Sequence, residues 1–159
     1  KAALEAIAAL KEYMPGCSAG KLRNFGMTIG IRDTYKIDSV YNLSDEDVKN
    51  ECRFEDSVGI YPEFIDGFGV LVLPTTGRYM HIPYRSLLPK NIKGLLVVGR
   101  AIGGSNIAHA ATRNMACCTV TGQGAGVAAA ETIKNKTSLN SVNISNVQKL
   151  LSKQNVRVF

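Results

Sequence analysis

The sequence predicts an α/β fold, in the form of an α+β fragment that combines helices with a β-rich region. Three observations lead to this prediction. Apolar residues recur at helical spacing near the amino terminus, and short apolar segments separated by glycine and proline fill residues 56–82. An apolar run at residues 95–98 then passes through glycines into a long segment of small residues, which is a strand–turn–helix order. A chain of 159 residues is long enough to bury a sizeable core.

The first elements follow from periodicity. Residues 2–13 are predicted to form a helix that ends at a Pro-Gly pair, because their apolar residues fall on one helical face. Residues 26–41 are predicted to be β-like, since alternate positions are apolar: Met27, Ile29 and Ile31.

The middle of the chain is predicted to be rich in short strands. Ser44 precedes three acidic residues, which indicates the capped start of a short helix. Strands are expected near residues 57–60, 69–73 and 79–82. Turns are expected at two polar or glycine-containing pairs: Asp66-Gly67 and Thr76-Gly77.

The last part of the chain is predicted to contain one strand and two helices. Residues 95–98 are expected to form a short buried strand, and Asn114 begins a helix that reaches about residue 135. Residues 145–153 are predicted to form an amphipathic helix, with three side chains facing inward: Val147, Leu150 and Leu151.

Composition excludes several classes of function. The net charge is +6, yet the lysines and arginines are scattered and do not alternate with aromatic residues, so nucleic acid is not an expected partner. No apolar run is long enough for a membrane span. The four cysteines and two histidines lack the spacing of metal ligands, so no metal is expected. Cys117 and Cys118 are interpreted as small buried residues, with a redox-active pair as the alternative, and the cellular compartment stays open.

The glycines at positions 122, 124 and 126 could be mistaken for a dinucleotide-binding loop. Their spacing is G-x-G-x-G, whereas that loop needs G-x-G-x-x-G and an acidic residue on a later strand. We therefore interpret the segment as a helix in which Gly122, Gly126 and the pair Ala129 and Ala130 allow close packing on a sheet or another helix. A packing helix without any ligand is the alternative.

The residues before this helix favour a bound ligand. The apolar run ends at Gly99 and Arg100, and more glycines precede the helix that begins near Asn114. A helix start presents free N–H groups and the positive end of the helix dipole, which favour an anion or a carbonyl oxygen. The sequence therefore places a candidate cofactor site between residues 99 and 117.

Three ordered segments resemble one known family. Residues 82–130, from "IPYRSLLPKNIKGLLVVGRAIGG" through "AATRNMACCTVTGQGAGVAAA", residues 30–48, "GIRDTYKIDSVYNLSDEDV", and residues 54–62, "FEDSVGIYP", are similar to the carboxyl-terminal part of FAD-dependent oxidoreductases with the glutathione-reductase-type flavin fold. The resemblance implies FAD as the cofactor and a Rossmann-like domain in which residues 95–99 form a closing strand. It also implies that the missing amino-terminal part of the same protein carries the G-x-G-x-x-G motif, which these residues lack.

The resemblance also implies an organisation and a cofactor site. Residues 1–82 would form a substrate-side region, residues 83–136 the end of the FAD-binding domain, and residues 137–159 a helix and tail. The start of the long helix would face the pyrimidine edge of the flavin ring, where its dipole stabilises negative charge. The residues implied to bind the cofactor are Gly99, Arg100, Ala101, Ile102, Gly103, Asn114, Met115, Ala116 and Cys117.

Five polar residues are candidates for catalysis near the flavin. Arg32 could bind a substrate carboxylate, with a surface ion pair to Asp33 or a neighbour as the alternative. Tyr84 and Arg85 occupy a proline-bracketed loop, where Tyr84 could instead be a structural anchor. His109 could exchange a proton, or be a hydrogen-bonded structural residue. Arg113 precedes the long helix and could bind a phosphate or an anionic flavin.

The function expected from these features is hydride transfer between a small organic substrate and FAD, by an enzyme that is inactive as this fragment alone. The alternative is a catalytically inactive module with the flavoprotein fold and a structural or interaction role.

Overall fold

The computed structural model describes residues 1–28, 30–67, 69–75 and 77–159. For Val70 it describes the backbone and not the side chain. It contains two compact units, Lys1–Ile31 and Arg32–Phe159. Among the described residues, helices and two small sheets are both present, which confirms the α+β form of the prediction. The parallel sheet of a Rossmann domain stays a prediction.

The first unit contains the predicted amino-terminal helix. Helix α1 spans Ala2–Tyr13, as expected, and none of its residues is buried. The expected β segment at residues 26–41, which runs on into the second unit, is wrong for the described residues: Met27 is fully exposed, and Ser39 makes only an isolated bridge to Pro89. Alternation of apolar residues creates a strand only where another strand accepts and donates the ladder hydrogen bonds. Ile29, on which the alternation partly depended, lies outside the described residues.

The second unit begins with helix α2 and two antiparallel strand pairs. Ser44 caps α2, Asp45–Lys49, as the sequence indicated, and the structure adds a reciprocal contact in which the Asp47 side chain accepts the backbone N–H of Ser44. Strands β1, Ser57–Pro62, and β4, Tyr79–Pro83, pair antiparallel with an irregular register between Ser57 and Ile60.

A separate hairpin lies between those two strands in the chain. Strands β2, Ile65–Gly67, and β3, Val70–Val72, pair antiparallel. The sequence predicted β3, but it interpreted Asp66-Gly67 as a turn, which is wrong because both residues belong to β2. Thr76, half of the other expected turn, lies outside the described residues, while Gly77 has the positive φ of a turn residue.

After β4, the described chain contains both short 3₁₀ helices and longer α-helices. Short 3₁₀ helices occur at Tyr84–Leu87, Gly99–Ala101 and Leu139–Ser141. Helix α3 spans Asn106–Thr112, helix α4 Met115–Asn135 and helix α5 Ile144–Lys153. Helices α4 and α5 confirm the prediction, and α3 was not predicted.

The core lies where α4 crosses β1. A Cβ atom on Gly59 would lie 2.6 Å from Val120 Cγ1, and one on Gly124 would lie 2.7 Å from Val58 Cβ. These two glycines therefore let the strand and the helix approach until each valine contacts the opposite backbone. Helix α5 covers α4 with the buried side chains of Val147 and Leu151.

Residues 95–98 do not form the buried strand that was expected. Leu95 and Val98 are exposed, and the N–H of Val97 donates to the carbonyl of Leu87 at 2.9 Å without forming a ladder. No strand of the described residues lies beside this segment, so its apolar pattern has no partner. Within the described part of the chain, no helix combines the length and apolar character needed to cross a lipid bilayer.

Candidate functional site

The start of α4 opens into a cleft of about 730 Å³. Its walls come from segments far apart in the sequence, because α3 and α4 bring the ends of β1 and β2 together with the turn at Gly99–Ala101. The cleft combines cations, aromatic rings and small side chains, namely Arg32, Tyr61, Phe64, Arg100, Arg113, Asn114, Met115, Ala116 and Cys118.

The first turn of α4 lacks the side-chain cap found at neighbouring helices. Ser44, Ser105 and Asn143 each accept a backbone N–H at the start of α2, α3 and α5. Asn114 is the corresponding residue of α4, but its amide points backward and donates to the carbonyl of Ala111 at 2.9 Å, with longer contacts to those of Ala110 and Phe64. Its side chain therefore leaves the first turn uncapped.

The N–H groups at the start of α4 remain available to a ligand. The first helical hydrogen bond of α4 joins the N–H of Cys118 to the carbonyl of Asn114 at 3.0 Å. Among the described residues, the N–H groups of Met115, Ala116 and Cys117 have no acceptor. Met115 is 87% exposed and Cys117 is fully buried, so only the backbone of Cys117 could contribute to the cleft.

Two of the predicted arginines meet at one carboxylate beside the cleft. Arg32 Nη2 lies 2.6 Å from Asp66 Oδ2. Arg113 Nη2 donates to the backbone carbonyl of Asp66 and lies 3.7 Å from the same Oδ2. Arg32 thus makes an exposed ion pair, which is the alternative that the sequence left open, with Asp66 rather than Asp33 as its partner.

His109 lies behind this arginine pair and does not line the cleft. Its Nε2 is 3.1 Å from the carbonyl of Arg32 and 3.4 Å from Asp33 Oδ1, two acceptors that require a proton on Nε2. Nδ1 is buried and has no partner among the described residues. Burial lowers the pKa of His109 by more than the Arg32 carbonyl and Asp33 raise it, so the neutral ring is favoured near pH 7.

The residues expected between Gly99 and Gly103 divide into two groups. Gly99 has a φ of +70° and donates its N–H to Thr121 Oγ1 at 3.0 Å, which holds the turn against α4. Of these residues Arg100 lines the cleft. Ala101 and Gly103 instead accept backbone hydrogen bonds from Ile37 and Leu43, and Ile102 is buried in the core.

Tyr84 and Arg85 do not line the cleft. Tyr84 is buried, donates its hydroxyl hydrogen to the carbonyl of Leu139 at 3.0 Å, and has a pKa that burial raises to about 12. Arg85 pairs with Asp56 at 3.0 Å and lies over the ring of Tyr41. These contacts match the structural role that the sequence left open for Tyr84.

Sequence reasoning missed four residues at the site. Tyr61 and Phe64 supply aromatic walls, Asp66 joins the two arginines, and Cys118 lines the cleft beside α4. Tyr61 directly follows the strand predicted at residues 57–60, Asp66 was assigned to a turn, and Cys118 was considered only as a small buried residue or half of a redox-active pair. Burial raises the pKa of the Cys117 and Cys118 thiols, and both cysteines are free. In the described part of the chain, no cluster of three or more His, Cys, Asp or Glu residues suits a metal ion.

Comparison with known proteins gives one match. The model of a family described as FAD dependent oxidoreductase matches residues 1–151, nearly the whole chain. No curated protein and no solved structure matches the chain.

Proposed function

The chain belongs to the FAD-dependent oxidoreductase family, and we propose that its cleft at the start of α4 holds the flavin ring beside a small organic substrate. FAD is the cofactor of this family. The observation that carries the proposal is the uncapped first turn of α4, because Met115 and Ala116, whose N–H groups have no acceptor among the described residues, line a cleft of about 730 Å³. A bound flavin would supply the acceptor or donor of a hydride equivalent.

The residues of the cleft suit the flavin ring. Such a ring offers carbonyl oxygens and a nitrogen at one edge, and these accept hydrogen bonds from backbone N–H groups. The N–H groups of Met115, Ala116 and Cys117, with the positive end of the α4 dipole, would stabilise negative charge at that edge. The small side chain of Ala116 leaves room for close approach, while Tyr61 and Phe64 would exclude water.

The cations of the cleft would divide between cofactor and substrate. Arg100 lies on the turn at Gly99–Ala101, where it would contact the cofactor. Arg32 and Arg113 both contact Asp66 of β2, and there they would orient the substrate. His109 would act through Arg32 by holding its backbone carbonyl, and not as the proton donor that the sequence suggested.

The adenosine half of FAD needs a further binding element. The 159 residues contain no G-x-G-x-x-G loop, so we propose that another segment of the protein binds the pyrophosphate. In that arrangement residues 83–136 complete the FAD-binding domain, residues 1–82 form its substrate side, and residues 137–159 form a carboxyl-terminal helix and tail.

Ala116→Asp in the full-length protein tests the proposal. The new carboxylate would occupy the start of α4, repel negative charge on the flavin and compete for the free N–H groups. We expect the dissociation constant of FAD, measured by flavin fluorescence, to rise at least about tenfold. Thr119→Asp is the control, because Thr119 lies one turn later and does not line the cleft.

Two results would contradict the proposal. A folded, colourless full-length protein that does not bind added FAD would instead support the inactive structural module. Equal loss of FAD affinity in Ala116→Asp and Thr119→Asp would mean that the start of α4 is not the ring site.

A further inference from the structure

Positive charge predominates among the side chains that line the cleft. Its lining contains three arginines and, among the described residues, no carboxylate. Arg32 and Arg113 both contact Asp66, which does not itself line the cleft. Two guanidinium groups that share one carboxylate keep one net positive charge, and this charge lies at the edge of the cleft.

The β2 side of this cluster is fixed by close packing. A Cβ atom on Gly67 would lie 3.1 Å from Ala110 Cβ and 3.5 Å from Arg113 Nη2, so β2 lies directly against α3. The guanidinium of Arg113 reaches the carbonyl of Asp66, and its side chain is only 11% exposed. Both the strand and the arginine are therefore held in place before any ligand binds.

The other arginine is fixed through its backbone. His109 Nε2 donates to the carbonyl of Arg32 at 3.1 Å, and the guanidinium of Arg32 pairs with Asp66 through Nη2 and Oδ2 at 2.6 Å. Little conformational entropy remains to be lost when a ligand binds two groups held in this way. The side chain of Arg32 is 58% exposed, so a ligand can reach it.

Planar, forked guanidinium groups bind carboxylates through paired hydrogen bonds. We infer that Arg32 and Arg113, aligned by Asp66, anchor the carboxylate of a small organic acid, which makes such acids the substrate class of this cleft. The inference rests on the proposed flavin site. One net positive charge matches a monoanionic carboxylate, whereas a dianionic phosphate would leave excess negative charge. Tyr61 and Phe64 suit the apolar body of such an acid.

Binding of matched probes to the FAD-loaded full-length protein tests this inference. Benzoate and benzamide have nearly the same shape but differ in charge, and inorganic phosphate tests the other oxyanion. Isothermal titration calorimetry should show benzoate binding about 10- to 100-fold more tightly than benzamide, the range expected for hydrogen bonds to a charged group. Phosphate should bind more weakly than benzoate.

Variants assign the effect to the two arginines. Arg113→Gln and Arg32→Gln should each remove most of the preference for benzoate, while the flavin absorption and the FAD content stay unchanged. Arg53→Gln is the control, because Arg53 also pairs with a carboxylate, Glu51 at 3.6 Å, but does not line the cleft. Should Arg113→Gln not fold, the exposed Arg32 still allows the test, and Arg113→Lys retains the charge without the fork.

Several outcomes would overturn the inference. One is a yellow protein that binds benzoate and benzamide equally, or phosphate most tightly. Another is loss of FAD from Arg113→Gln or Arg32→Gln in parallel with loss of benzoate, which would make these arginines cofactor ligands. A colourless protein that still prefers benzoate in an Arg113-dependent manner would contradict the proposed flavin site but support the carboxylate anchor.

Discussion

The first turn of α4 and the middle of the same helix are both built from small residues, yet they meet opposite surroundings. At the first turn, Met115 and Ala116 are exposed at the cleft and the backbone N–H groups have no acceptor among the described residues. In the middle, Gly124 is buried, and a Cβ atom there would lie 2.7 Å from Val58 Cβ. The start of α4 therefore borders an open cleft, whereas its middle packs against β1.

The contrast shows that small residues in one helix can answer two separate physical demands. At the start they leave the helix dipole and N–H groups accessible, and in the middle they permit contact with β1. Gly122 and Gly126 serve neither purpose, since nothing lies within 4 Å of a Cβ atom at either position. The expectation that these two glycines allow close packing is therefore wrong, and Gly124 is the residue that does so.

The largest expected effect separates Gly124 from its neighbour Gly126. Gly124→Ala forces a methyl group against Val58, and overpacking of this kind costs about 1–3 kcal/mol, partly offset by better helix propensity. Gly126→Ala meets open space and should raise the free energy of unfolding by up to about 1 kcal/mol. Urea denaturation of the full-length variants measures both changes.

A double-mutant cycle checks whether contact with Val58 is what destabilises Gly124→Ala. Val58→Ala removes Cγ2 and Cγ1, which would lie 2.9 and 3.3 Å from the new methyl group, and leaves Val58 Cβ in place, so the clash is partly relieved and the two substitutions together should cost less than the sum of their separate effects. Strictly additive costs, or a Gly124→Ala protein as stable as Gly126→Ala, would show that close packing in the middle of α4 is not what requires glycine.

The next largest effect concerns the cleft at the start of α4, where neutral His109 donates a hydrogen bond to the backbone carbonyl of Arg32. Burial lowers the pKa of His109, and it also lowers that of His81 on β4. The unfolded chain then binds more protons below about pH 6.5, so stability is full above that pH and declines as the pH falls toward the folded-state values. The decline is at most about 1.4 kcal/mol per pH unit for each histidine.

His109→Gln tests the contribution of this residue. Glutamine can still donate to the carbonyl of Arg32 but does not titrate, so the stability of the variant should depend less steeply on pH between 4.5 and 6.5, roughly the region below the unfolded pKa. Chemical denaturation at several pH values provides the slopes. An unchanged slope in His109→Gln, in an experiment where the positive control His81→Gln does show a shallower slope, would contradict a buried neutral His109.

Local signals allowed much of the fold to be predicted. The bounds of α1, the cap at Ser44 and the start of α4 after Asn114 depend on residues within one or two turns, and the structure confirms all three. Strand pairing depends on distant residues, so apolar patterns at 26–41 and 95–98 were assigned to strands that have no described partner. Helix α3 was missed even though Ser105, a strong capping residue, precedes an alanine-rich segment.

The candidate site was predictable to a similar degree. The free N–H groups at Met115 and Ala116 follow from the start of a helix, which the sequence reveals. The contact of Arg32 with Asp66 joins residues 34 positions apart, and no pattern within either segment indicates it. Asn114 is also a residue type that normally caps a helix, so its backward orientation could be learned only from the carbonyl groups around it.

The smallest expected effect concerns the start of α4 in protein from which the flavin has been removed. Ala116→Asp places a carboxylate in the first turn, close to the helix dipole and to Arg113, so the free energy of unfolding should rise by about 0.3–1 kcal/mol. The gain should shrink at high salt, because screening weakens an exposed charge. Thr119→Asp, beyond the first turn, should show no comparable gain in the same urea titrations. A stability loss in Ala116→Asp would mean that the N–H groups at this end already have partners, so that α4 is closed at both its start and its middle.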